Sequence, residues 1–239
     1  MSSSNFHTTQ WTIVRGAQAC PTEQRHHALS QLCQAYWMPL YVFLRRSGYS
    51  DSDSEDYVQG YFEQLLSADF LKSVDSSKGR FRSFLLVSLK HFVSNQHARD
   101  KAIKRGGRVQ KGSLHFEIAE RWYLLEPACN ATADKLFDRR WALTLMDLVM
   151  SRLRERCVVQ GRAELFDQLQ PHLMRDSQRV PYSQIAAELN CTVESLKSTM
   201  HRIKGWYREL LMAEISQTVS PEEVEDELND LLKIISEKI

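Results

Sequence analysis

Apolar residues recur at helical spacing along most of this 239-residue chain, and that periodicity constrains the fold more than any other feature. Leu29, Leu32, Cys33, Tyr36, Trp37, Leu40, Tyr41 and Leu44 fit one helical stripe, which Pro39 bends or restarts and Gly48 stops. Ser50 to Asp53 reads as a capping box, the Ser50 hydroxyl accepting from the amide three residues on while Asp53 reaches back. The helix it opens carries Tyr57, Val58, Tyr61, Phe62, Leu65 and Leu66. A third helix is marked by Phe81, Phe84, Leu85, Leu89, Phe92 and Val93, and extends to about Arg105 before Gly106-Gly107 ends it. With only nine glycines, six prolines and few alternating runs, an all-α fold is expected.

A second helical block begins near Thr132, with Leu136, Phe137, Trp141, Leu145, Leu148, Val149 and Leu153 on one face. Leu165, Phe166 and Leu169 mark another short helix. The pattern weakens over 106–131, which reads as a linker. After Ser220-Pro221 an acidic amphipathic helix carries Val224, Leu228, Leu231, Leu232 and Ile235. The expected organisation is an N-terminal extension over 1–20, a helical domain over 21–105, the linker, a second helical domain over 132–215, and an acidic tail over 216–239.

The five cysteines form no CxxC pair and no zinc-ligand spacing with histidine, so neither a metal nor a disulfide framework is expected. No secretion signal and no run of about 20 apolar residues is present, which points to a cytoplasmic protein with no membrane partner.

The net charge of +1 hides a strong asymmetry. Lys78 to Lys111 holds ten basic residues against one acid, Asp100, a net +9. The preceding helix holds Asp51, Asp53, Glu55, Asp56 and Glu63 with no basic residue among them. A basic run of this density favours a polyanion, because each cation that neutralises a phosphate releases condensed counterion. Phe81, Phe84, His91, Phe92 and His97 interleave with the cations, as a stacking surface for unpaired bases would require. The plainer reading puts Phe84 and Phe92 in the core, and leaves Phe81 open.

The stretch "YSQIAAELNCTVESLKSTMHRIKGWYRELL", Tyr182 to Leu211, has the form of a helix-turn-helix. Ile185, Ala186 and Leu189 face inward on a short helix that Pro181 precedes. Asn190 suits the left-handed residue that closes it, and Thr192 is a good N-cap for the next helix, with Glu194 at its positive end. Val193, Leu196, Met200, Ile203, Tyr207 and Leu210 form the inner stripe of that helix. Ser195, Lys197, Ser198, His201 and Arg202 face away, hydrogen-bonding groups first and cations later, as a recognition helix needs. Taken alone, the same pattern suits a plain helical hairpin.

Together these motifs resemble a bacterial RNA polymerase sigma factor of the extracytoplasmic-function type, and the "HTTQWT" start and the "YRELLMAEISQTV" extension resemble a subgroup seen in planctomycete-like bacteria. The resemblance spans nearly the whole chain: "AYWMPLYVFLRRSGYSDSDSEDYVQGYFEQLL" and "KGRFRSFLLVSLKHFVSNQHARDKAIKRGG" resemble the domain that binds polymerase and the −10 element, and the helix-turn-helix resembles the −35 reader. The resemblance implies that Glu55, Asp56, Gln59 and Phe62 bind the clamp coiled coil of the polymerase β′ subunit. Gly60 stands where an acid is common. Lys78, Arg80, Phe81, Arg82, His91, Asn95 and Arg99 would meet the melted −10 element. Thr192, Ser195, Lys197, Ser198, His201 and Arg202 would read the −35 element. Core RNA polymerase, through its β′ clamp and β flap, and promoter DNA are the implied partners, with an anti-sigma factor or other regulator left open.

The runner-up is a stand-alone helix-turn-helix regulator, for which the acidic helix and the remote basic segment have no use. An enzyme is not expected, and no cofactor is implied. "GGRVQKGS" resembles a phosphate loop only superficially, since Lys111 precedes Gly112 and no strand leads in. A helical adaptor remains a third reading.

Overall fold

The computed structural model describes residues 35–65, 80–102, 120, 121, 123, 124, 131–174 and 180–237, with the backbone alone at 99–102. The described residues hold helices and no strand, as expected. No helix among them is long and apolar enough to cross a membrane. The chain divides into two compact units, Met1–Leu143 with Ser216–Ile239, and Thr144–Ile215.

In the first unit, α1 covers 35–46 and α2 is Asp51–Leu65. Between them Gly48, at φ +94°, closes α1. The Gly48 amide donates to Arg45 O at 3.1 Å and the Tyr49 amide to Leu44 O at 3.2 Å, the paired bonds of a Schellman ending. α2 opens on Ser50, whose hydroxyl accepts from the Asp53 amide at 3.1 Å and donates to the Asp53 carboxylate at 2.6 Å. Asp53 thus reaches back to the hydroxyl, not to the backbone amide that a full capping box would use.

α3 is Phe81–Ala102 and packs on α2. Gly60 of α2 makes room for it: a Cβ there would lie 3.2 Å from Phe92 Cζ. The Tyr61 hydroxyl donates to Leu85 O at 3.2 Å and also meets the Ser88 hydroxyl. α4, Ala133–Val159, starts on Thr132, whose hydroxyl accepts from the Lys135 amide at 3.3 Å. Leu136, Phe137 and Trp141 of its first turns are buried.

The tail is part of this unit, not a separate segment. Gln217, Thr218 and Val219 are buried, and Thr218 O accepts from the Phe81 amide at 3.1 Å, satisfying one of the orphan donors that open α3. A single 3-10 turn at Pro221–Glu223 leads into a helix, Val224–Ser236, named α8 because three helices of the second unit precede it. α8 buries Val224, Leu228 and Leu231 as its periodicity requires, while Leu232 is exposed. Its far end is tied to α4 by Arg139, which donates to Glu237 O at 3.1 Å.

The second unit holds the rest of α4, then α5 (Ala163–Leu173), α6 (Tyr182–Glu188) and α7 (Val193–Ile215). Met150, Leu153, Cys157, Phe166, Leu169, Ile185, Ala186, Leu196, Met200 and Ile203 form one core. Gly161, at φ +67°, ends α4. The expected linker over 106–131 falls mostly outside the described residues. The division between units lies inside α4, because its first turns bury their apolar face in one unit and Leu153 and Cys157 bury theirs in the other.

Candidate nucleic-acid interface

The helix-turn-helix has the local chemistry its sequence implies. Asn190 sits at φ +49° and is the one non-glycine residue with positive φ among those described. Its amide donates to Ala187 O at 3.4 Å and the Cys191 amide donates to Ala186 O at 2.9 Å, so asparagine closes α6 in the same way that glycine closes α1. Two residues on, Thr192 Oγ1 accepts from the Ser195 amide at 3.1 Å and caps α7. Leu196, Met200 and Ile203 then face the core, with Val193, Tyr207 and Leu210 packed against it.

The opposite face of α7 is open. Ser195, Lys197, Ser198, His201 and Arg202 are all exposed, as is Thr192 at the entry. The Arg202 guanidinium lies 5.6 Å from the Trp206 ring centre, one turn along, which orients it along the helix. Lys204 and Arg208 extend the exposed basic surface further along α7.

The first unit treats its predicted nucleic-acid residues differently. Lys78 lies outside the described residues, and Arg99 is described by its backbone alone. His91 and Asn95 are exposed on α3. Phe81 is not available to a base: its side chain is 0% exposed and meets Tyr36 edge-to-face at 5.4 Å. The reason is hydrophobic, since burying a phenyl ring gains about 1.5–3 kcal/mol over leaving it in water. Phe62, expected against polymerase, is likewise core.

The two arginines flanking Phe81 are held by acids from elsewhere in the unit. Arg80 places Nε 3.0 Å from Glu227 and donates through Nη1 to Asp230 at 2.5 Å. Arg82 donates through Nη1 to Asp138 at 2.5 Å and approaches Glu227 at 2.8 Å, with its guanidinium 4.6 Å from the Trp141 ring centre. Lys90, further along α3, donates to Asp134 at 2.6 Å. Every cation of the basic segment whose side chain is described is therefore ion-paired. At these positions acids of α4 and α8 supply the counter-charge.

Glu227 is the centre of this clasp. Its side chain is fully buried between the two arginines. Burial pushes its carboxyl above the usual range, while Arg82 and Arg80 pull it back. Burial also raises Asp138, against the pull of Arg82. Asp230, nearer solvent, is held below the usual range by its hydrogen bond from Arg80. Composition marked the tail as acidic, but nothing local in it names a partner about 150 residues away in the chain.

On α2, the helix expected to meet polymerase, two of the acids serve the helix start. Asp51 accepts from the Tyr41 hydroxyl at 2.5 Å, and Asp53 belongs to the cap. Asp56 is exposed, and Glu55 and Gln59 are half-buried beside it. Elsewhere in the unit, Arg45 donates through Nη2 to Glu120 at 2.7 Å. An open groove of about 600 Å³ runs between α1 and α3, lined by Phe43, Tyr49, Lys90 and His97 among others.

Among the described residues no cluster of histidine, cysteine, aspartate and glutamate could hold a metal ion. In comparisons with known proteins, no family model matches the chain, and no curated protein or solved structure gives a significant match.

Proposed function

We propose that this chain is a promoter-specificity subunit of bacterial RNA polymerase, a sigma factor of the extracytoplasmic-function type. The observation that carries the reading is the exposed face of α7. An N-cap at Thr192 presents hydroxyls at Ser195 and Ser198, then His201 and Arg202, on a helix whose other face packs on a core. This is the geometry by which a recognition helix meets base edges with its first turns and phosphates with its later ones.

The chain performs no covalent step in this role. α7 reads the −35 element, exposed His91 and Asn95 on α3 face the −10 element, and exposed Asp56 on α2 meets the polymerase clamp. A few base contacts of about 1–3 kcal/mol each give modest specificity per module. Joining the modules through the polymerase raises their effective concentration at the promoter.

The test is a pull-down with purified core RNA polymerase. Retention of polymerase by the full chain, weakened by Asp56→Arg, supports the reading. Retention unaffected by Asp56→Arg removes α2 from it. No retention, together with sequence-specific duplex binding by the chain alone, favours the stand-alone regulator.

A further inference from the structure

The acids that hold Arg80 lie in a segment to which the proposed function gives no task. Pro221 to Ile239 carries seven acidic residues and two lysines. Apolar Val224, Leu228 and Leu231 dock the helix, and Glu227 is buried with Arg82. Asp230 differs from these. Its side chain is 33% exposed, and its partner Arg80 is 28% exposed, so solvent reaches both. Glu222, Glu225 and Asp226 on the same segment are exposed.

We infer that α8 acts as an internal phosphate mimic, occupying Arg80 through Asp230 so that the first unit binds single-stranded nucleic acid only when that contact is given up. The inference rests on the proposed function, whose −10 interface it regulates. Arg80 and Arg82 would present two positive charges to a strand. With Glu227, Asp230 and Asp138 against them, the five side chains carry a net negative charge, which repels a phosphate. Arg82 is structural: it is buried, stacked on Trp141 and paired on two sides. Arg80 is the position where competition is physically open.

The competition is local. A part-exposed ion pair is weak, so a strand making several contacts can displace Asp230 while the apolar face of α8 stays docked. Binding then exchanges one anion for another at Arg80. That exchange lowers the affinity and also hides one cation from the salt dependence, because the freed carboxylate recovers counterion when the phosphate loses it.

The experiment measures binding of a fluorescein-labelled single-stranded oligonucleotide by fluorescence anisotropy over a salt series. The full chain is compared with Asp230→Asn and Asp230→Ala, both of which keep α8 helical, and with each combined with Arg80→Gln. Removing the carboxylate is expected to tighten binding about fivefold, the factor that an exposed ion pair converts to. The slope of log K against log salt should steepen by about 0.7, one more phosphate contact on a single strand. Both changes should vanish with Arg80→Gln. Binding no tighter than wild type in either variant, or a gain that survives Arg80→Gln, overturns the inference. Retention of core polymerase does not involve Asp230, so failure of the inference and failure of the proposed function are read separately.

Discussion

Asp230 accepts a 2.5 Å hydrogen bond from Arg80, at the threshold of α3 and 150 residues earlier in the chain. This bond and the buried Glu227 beside it join the C-terminal helix to the start of the most basic segment of the protein. Several consequences for stability and binding can be measured.

Glu227→Ala should destabilise the first unit strongly. It leaves two arginines without their shared carboxylate, and breaking a buried pair from one side costs about 3–5 kcal/mol. Urea unfolding followed by tryptophan fluorescence measures it, with Trp141 stacked under Arg82 as the reporter. Removing both charges in Arg82→Met with Glu227→Leu should recover much of the loss. A single-variant cost under about 1 kcal/mol would mean that the clasp does not hold the tail.

Gly60 should tolerate no large side chain. Alanine gains about 1 kcal/mol of helix propensity but sets a methyl 3.2 Å from Phe92 Cζ, so Gly60→Ala is expected near neutral. Gly60→Leu forces Phe92 aside and should cost about 1–3 kcal/mol. Equal stability of the leucine variant would show that α2 and α3 are not close-packed there.

The helix-turn-helix should separate stability from binding. Asn190→Val places a β-branched residue at φ +49° and should lower stability by about 1–3 kcal/mol, whereas Asn190→Gly should be tolerated. Thr192→Ala removes a cap worth about 1 kcal/mol. Ser198→Ala and His201→Ala lie on the exposed face and should shift stability by less than about 0.5 kcal/mol while altering duplex binding. Thermal unfolding and a mobility-shift titration, run on the same variants, distinguish the two sets.

Asp230 also makes a pH prediction. Its folded pKa lies below its unfolded value because of the bond from Arg80. Its contribution is therefore present above the unfolded value, about 3.9, and is lost as pH falls through the folded one. Asp230→Asn should flatten the stability curve below about pH 4. Glu227 and Asp138 act in the opposite sense, since burial raises them, and their contributions decline as pH rises from the unfolded value through the folded one. An acid limb unchanged by Asp230→Asn would contradict the pairing with Arg80.

What was legible in the amino-acid sequence was what short-range physics determines. Asn190 and Thr192 announce a turn and a cap because each acts on amides within a few residues, and Gly48 ends α1 for the same reason. The apolar stripes of α3, α4 and α7 follow from spacing alone. Spacing alone left Phe81 open and put Phe62 in an apolar stripe; the resemblance placed both at an interface, and both lie in the core. The pairing of Arg80 and Arg82 with Glu227, and of Lys90 with Asp134, was out of reach, since composition shows only that one segment is basic and another acidic. Which acid meets which base is fixed by the fold.

The central claim is that α7 and α3 read two halves of one promoter while bound to polymerase. In vitro transcription with core RNA polymerase and this chain on fragmented genomic DNA, followed by mapping of the start sites, tests it most directly. The expected result is a set of starts that require the chain, share a two-part upstream sequence, and shift their upstream preference with His201→Ala. Starts that are unchanged when the chain is left out, or that share no sequence, would contradict it.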